Sequence, residues 1–127
     1  MTGNQAIQRQ ASVTGQPHVN RPAVRKFLRR LRYPLHFLDF ETFSTAIPLF
    51  DGLRPYQQVP FQFSMHTVRS EGAESEHQGF LAEGRNDPRE EFMGRLRGVL
   101  GGKGSIVAYN AGFEIRRLKE FRHSLRA

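Results

Sequence analysis

The chain has 127 residues, about the size of one domain, with 38% hydrophobic residues, 24% charged residues and no cysteine. The missing thiols exclude disulfides and thiolate metal sites. No run approaches the ~20 apolar residues of a membrane span and no apolar signal segment opens the chain, so a cytoplasmic protein with no membrane partner is expected.

The net charge of +7 is unevenly placed. Residues 1–32 hold seven basic groups (Arg9, Arg21, Arg25, Lys26, Arg29, Arg30, Arg32) and no acid, while the other 95 residues balance twelve against twelve. Sixteen of the nineteen cations are arginine, whose planar fork suits phosphate. A basic segment of this kind either contacts nucleic acid or is a solvated tail.

Residues 1–20 are rich in Gln, Asn, Ser, Thr and Gly without a periodic apolar face, which predicts a disordered polar lead-in. Residues 21–33 form the second unit, a basic amphipathic helix opened by Asn20-Arg21-Pro22. Val24, Phe27, Leu28 and Leu31 recur at helical spacing, cations cover the rest, and Tyr33-Pro34 stops it. Leu35 to Glu41 reads as a buried strand with a polar end. Alternation sets Leu35, Phe37, Asp39 and Glu41 on one face and His36, Leu38 and Phe40 on the other. After a Pro- and Gly-bearing loop come a second strand at Val59 to Val68, a turn at Ser70 to Ala73, and a short third strand at His77 to Leu81. A helix follows, with Asp87 as its cap, Pro88 at its first position and Glu90 completing a capping box. Phe92, Leu96, Val99 and Leu100 form its core stripe, and Gly101-Gly102 ends it. Ser105 to Tyr109 is an apolar run suited to a central strand, and Asn110-Ala111-Gly112 leads into a last helix faced by Leu118, Phe121 and Leu125. The order implies an α/β or α+β layer with an early antiparallel meander.

Asp39 and Glu41, two apart on a strand, point the same way with Cα atoms about 6.6 Å apart, close enough to share a hard cation or a cation pair. The spacing alone is cheap, since Glu74-Ser75-Glu76 repeats it in a loop. What distinguishes the first pair is the apolar run before it, where desolvated carboxylates need a cation or donors. The alternative is an edge strand fraying into solvent. Glu114, in the first turn of the last helix with Asn110 as cap, lies at the sheet edge where α/β proteins assemble ligand sites. It is equally readable as a dipole-favoured surface acid. Tyr56, Gln57 and Gln58 either line a groove or belong to an ordinary Pro-bounded loop. His36, His66 and His77 sit at strand positions and read as structural.

Together, Leu38-Asp39-Phe40-Glu41-Thr42 and Asn110-Ala111-Gly112-Phe113-Glu114 resemble the first two motifs of the DEDD exonucleases of the ribonuclease H-like superfamily. Glu114 stands where that superfamily usually has Asp. Tyr-Pro-Leu-His-Phe-Leu-Asp-Phe-Glu-Thr and Arg-Pro-Tyr-Gln-Gln-Val-Pro-Phe-Gln-Phe-Ser further resemble a bacterial family of uncharacterised domains grouped with such nucleases. The resemblance covers residues 22–127. It implies an α/β, ribonuclease H-like mixed sheet, antiparallel in its first three strands and then parallel, with residues 34–127 a partial exonuclease-like domain. The superfamily's third motif, a His or Tyr and a final Asp on a later helix, has no counterpart here, so the remainder of a longer chain is expected.

The resemblance implies hydrolysis of DNA or RNA from a single-stranded 3′ end. Asp39, Glu41 and Glu114 serve as catalytic carboxylates holding two Mg²⁺ or Mn²⁺ ions in the complete domain, the fragment alone being inactive. Thr42 and Asn110 are the further candidates at the substrate, and Arg25, Lys26, Arg29, Arg30 and Arg32 at its phosphates. The rival is a non-catalytic nucleic-acid-binding or scaffold module. A small-molecule domain lacks a Gly-rich phosphate loop, because Gly101-Gly102-Lys103-Gly104 precedes a strand. An unpaired strand at Ser105 to Tyr109 also invites self-association through an exposed sheet edge.

Overall fold

The computed structural model describes residues 2–124. It divides into two compact units, Met1–Leu31 and Arg32–Ala127.

The first unit is helical. Where the sequence suggests a disordered lead-in, the chain forms α1 (Gly3–Thr14). The cause is local: Thr2 and Gln5 make a reciprocal capping box, and Gly15 at φ 65° ends the helix in the left-handed region. No residue of α1 is buried. α2 (Arg21–Leu28) is capped by the Asn20 side chain, which accepts from the Ala23 N–H at 3.0 Å. It is shorter than the expected 21–33. Arg30 and Leu31 make tighter i→i−3 bonds, and the Arg32 backbone is taken up elsewhere, its N–H donating to Ser105 Oγ at 2.8 Å and its carbonyl accepting from the Ser105 N–H at 2.9 Å. Arg32 therefore belongs to the second unit.

That unit is an α/β layer. β1 (Leu35–Phe43), β2 (Val59–Val68), β3 (Ser75–Leu81) and β4 (Ser105–Val107) form one mixed sheet in the order β3-β2-β1-β4. The first three strands are antiparallel and β4 runs parallel to β1, as expected. β4 is an edge of this sheet, and shorter than the expected apolar run. Glu76, expected in a loop, lies on β3 and pairs with Arg69 at 2.6 Å.

α3 (Arg89–Leu100) and α4 (Ala111–Ser124) cover one face of the sheet. Phe92 is fully buried and meets Phe40, Phe63, Phe80 and Phe121 edge-on, with ring centroids 5.5–6.2 Å apart. Leu38, Met65 and Leu96 complete the core, with Val99, Leu100 and Leu118 packed against it. Leu125 lies outside the described residues. The start of α3 corrects the expected capping box: Asp87 accepts from the Arg89 backbone N–H at 3.0 Å and grips the buried Arg89 guanidinium at 2.6 Å, and Pro88 occupies the cap. Arg89 also donates to the Asp51 carbonyl at 3.2 Å, tying the long β1–β2 loop to α3.

Backbone meets backbone before β4. A Cβ on Gly104, at φ +86°, would lie 2.0 Å from the Pro34 carbonyl oxygen, whereas one on Gly102 at φ +75° would touch nothing. Gly102→Ala should cost only the left-handed strain of about 1–2 kcal/mol. Gly104→Ala should cost a further ~1–3 kcal/mol of overpacking. Urea unfolding of both variants checks the difference, and equal losses would contradict the close approach.

Candidate active site

β1 places the candidate chemistry. With neighbours on both sides, its alternation buries His36, Leu38 and Phe40 against the helices and turns Phe37, Asp39 and Glu41 to the face that α3 and α4 leave open. Asp39 is opposite Ser64 and Glu41 opposite Gln62, and the register then shifts by one residue before Thr42. The extra residue is Phe61, a β-bulge in β2 that sequence patterning does not disclose. Asp39 and Glu41 are exposed and, among the described residues, enter no ion pair.

Glu114 differs from both. It stands in the first turn of α4, only 7% exposed, and its buried Oε2 has no hydrogen-bond partner. Burial pushes its pKa above the ordinary carboxyl value, and the negative charge of Asp39 pushes it further. Strand and helix thus bring Asp39 and Glu114 within electrostatic reach. Arg117, one turn on, donates from Nη1 to Glu120 at 2.6 Å and lies over the Phe113 ring at 5.2 Å, while its buried Nε has no hydrogen-bond partner. The surface-acid reading of Glu114 does not survive its burial. Among the described residues, no three carboxylates or imidazoles lie close enough to hold one metal ion. Asp39 is the carboxylate whose charge Glu114 feels, and Glu41 lies two residues along the same strand face. A buried carboxylate oxygen without a donor, in the field of a second carboxylate, is oxygen chemistry that fits a hard divalent cation.

The supporting residues divide. Asn110 caps α4 as expected, its Oδ1 and carbonyl accepting from the Phe113 N–H at 3.4 and 2.9 Å. Thr42 donates its hydroxyl to Gln58 Oε1 at 2.6 Å. Gln57 accepts from the Arg54 N–H at 3.1 Å, closing a turn of its own loop. Tyr56 is exposed at φ 60° and donates its N–H to the Thr45 carbonyl at 2.8 Å. Of the three loop residues, Gln57 closes its own turn, Gln58 ties the loop to the end of β1, and Tyr56 is the exposed one. Two residues past Glu41, Phe43 walls a cleft of about 560 Å³ with Phe50, Phe61, Arg85 and Asn86, a feature no motif announces. Arg25, Lys26, Arg29 and Arg30 are exposed in the first unit, whereas Arg32 lies with the sheet.

His36 is structural. The Lys103 carbonyl can only accept, so His36 Nε2–H donates to it at 3.1 Å and Nδ1 accepts from the Thr67 hydroxyl at 3.0 Å. His66 and His77 are not core residues. Both are exposed on the open sheet face.

A family model described as a domain of unknown function, DUF2779, matches residues 36–126, and the chain belongs to that family. Comparison with curated proteins and with solved structures finds no match. No helix among the described residues is long and apolar enough to cross a membrane.

The raised Glu114 pKa has a definite sign in stability. The fold favours the protonated carboxyl, so this contribution is full below the unfolded value of 4.5 and is lost as pH rises through the folded value. Asp87 acts oppositely: burial raises its pKa, but the Arg89 hydrogen bonds outweigh that and hold it low. Glu114→Gln cancels only the first slope. Without divalent cations it should match the parent in acid and exceed it near neutral pH, as read by urea unfolding at both. A variant weaker than the parent near neutrality would remove the case for an uncompensated charge.

Proposed function

We propose that the complete domain is a divalent-cation-dependent nuclease hydrolysing phosphodiester bonds of DNA or RNA from the 3′ end, akin to the DEDD exonucleases. The observation that carries this is the buried Glu114 carboxyl, whose Oε2 has no hydrogen-bond partner and which feels the negative charge of Asp39, with neither acid in an ion pair among the described residues. The mixed sheet, with its first carboxylates on the central strand and its third on the helix after the parallel strand, supports the same reading.

When bound, Mg²⁺ or Mn²⁺ supplies charge neutralisation at the phosphate and a lowered pKa for the attacking water. The chain's own residues do the rest. Asp39 from the strand and Glu114 from the helix would hold the cation, and Glu41 extends the carboxylate row along the strand. Asn110 fixes the turn that carries Glu114. With its hydroxyl engaged by Gln58, Thr42 has only its backbone to offer a terminal nucleotide. The Phe43 cleft, at about 560 Å³, is of a size for a nucleotide. No His or Tyr is placed as general base among these residues, so cleavage is assigned to a chain that also carries the superfamily's third motif.

Metal binding is testable on the chain as it stands. An ion at a hundred times its Kd adds about 2.7 kcal/mol, a rise of several degrees in Tm. Mn²⁺ should raise the parent's Tm to that extent, leave Asp39→Ala and Glu114→Gln unmoved, and act normally on Glu74→Gln. A parent indifferent to Mn²⁺ and Mg²⁺ would overturn the assignment.

The exposed cations of the first unit favour a second contribution, sequence-independent grip on nucleic acid. Arg25, Lys26, Arg29 and Arg30 are poised to neutralise phosphates, and each phosphate contact on a single strand adds about 0.7 to the salt slope. Removing residues 1–31 should reduce the slope by up to about 3 and weaken single-stranded DNA binding at low salt. Unchanged affinity, by fluorescence anisotropy, would make the segment a solvated tail.

A further inference from the structure

The open face of the sheet carries a second cluster, in two neighbouring cross-strand rows. One runs Phe37, His66, His77 across β1, β2 and β3, and the next runs Asp39, Ser64, Gly79. His66 and His77 are directly opposed, with ring centroids 4.5 Å apart and planes tilted by 36°. Both are exposed, so neither ring is fixed by core packing.

Gly79 lies beside His77, where a Cβ would come 3.7 Å from the ring in ordinary van der Waals contact. The ring leans across the second row and Nε2 reaches Ser64 Oγ at 3.0 Å. With Nε2–H donating to Ser64, the His77 Nδ1 keeps its lone pair. That is the arrangement metal-binding imidazoles use, one nitrogen held by an outer partner and the other offered to the ion. Among the described residues, no hydrogen bond engages the His66 ring. Rotation about its outer torsion can bring a ring nitrogen toward His77 Nδ1.

From this geometry we propose that His66 and His77 form a two-imidazole site for a borderline divalent transition metal such as Zn²⁺, positioned by Ser64 and distinct from the Asp39–Glu114 pair. Two nitrogens on one tetrahedral zinc lie about 3.3–3.4 Å apart at Zn–N distances of about 2.0–2.1 Å, a span that directly opposed side chains on paired strands can close. The remaining coordination positions face solvent and are open to water or to a donor from a ligand. Hard cations do not favour this nitrogen pair, so it separates from the carboxylates by metal type as well as by place.

The test is a Zn²⁺ titration of the full chain followed on histidine ring ¹H–¹³C resonances. His66 and His77 should move together to a 1:1 endpoint while His36 stays fixed. His66→Gln and His77→Gln should each weaken binding at least tenfold. Ser64→Ala, which frees the ring without removing a ligand, should weaken it by about tenfold. Asp39→Asn should leave the two-histidine response intact, which separates this site from the carboxylate pair whatever becomes of the latter. Movement confined to His18 or His123, or a titration unchanged by His66→Gln, would overturn the proposal.

Discussion

The alternation of β1 is the constraint on which the molecule depends. Its buried side sends Phe40 into edge-to-face contact with Phe92 and Phe121. The same strand binds His36 to Thr67 and to the Lys103 carbonyl. A slip of one residue would carry Phe40 into solvent and Asp39 into the core, which the packing forbids. The positions of Asp39 and Glu41 on the open face therefore follow from the packing beneath them. The acids need no contact of their own to be placed there.

α4 links the same core to the third carboxylate. Glu114, Leu118 and Phe121 are spaced four and then three residues apart, so they share one helical face. Phe121 is 1% exposed in the core, and its burial obliges Glu114 to turn inward at the helix's first turn. Asn110 fixes where that turn begins. An ionisable residue is thus held where one of its oxygens finds no donor, by an apolar residue two turns away. Such uncompensated burial is costly to a fold and is the kind of feature that marks a site.

Charge follows the division of the chain. The first unit carries most of the basic excess on exposed side chains, while the second is nearly balanced and holds both candidate metal sites. The two sites differ in chemistry as they do in position, carboxylate oxygens at the strand-to-helix edge and imidazole nitrogens on the open face. Ser64 stands beside both, opposite Asp39 in the ladder and hydrogen-bonded to His77.

The sequence by itself determined the order of the elements of the second unit and the alternation of β1 from His36 to Glu41, though not the bounds of β3 and β4 or the burial of Leu35. Periodicity is a local property, so Val59 to Val68, the core stripe of α3 and the Asn110 cap are all legible without a neighbour. It also contained the Thr2–Gln5 capping box that makes α1 a helix, although composition there pointed to disorder. Tertiary structure alone decided what depends on distant partners. Arg32 left its helix because Ser105 took its backbone, and Asp87 gave up its cap for the Arg89 guanidinium. Phe61 bulged where β2 meets the end of β1. Glu114 became a buried acid because α4 docks on the sheet through Phe121, and only that docking brings it within reach of the charge on Asp39, remote in sequence. Hydrogen bonding and desolvation between residues far apart in the chain have no period to be read, and they are what turn a spacing of carboxylates into a site.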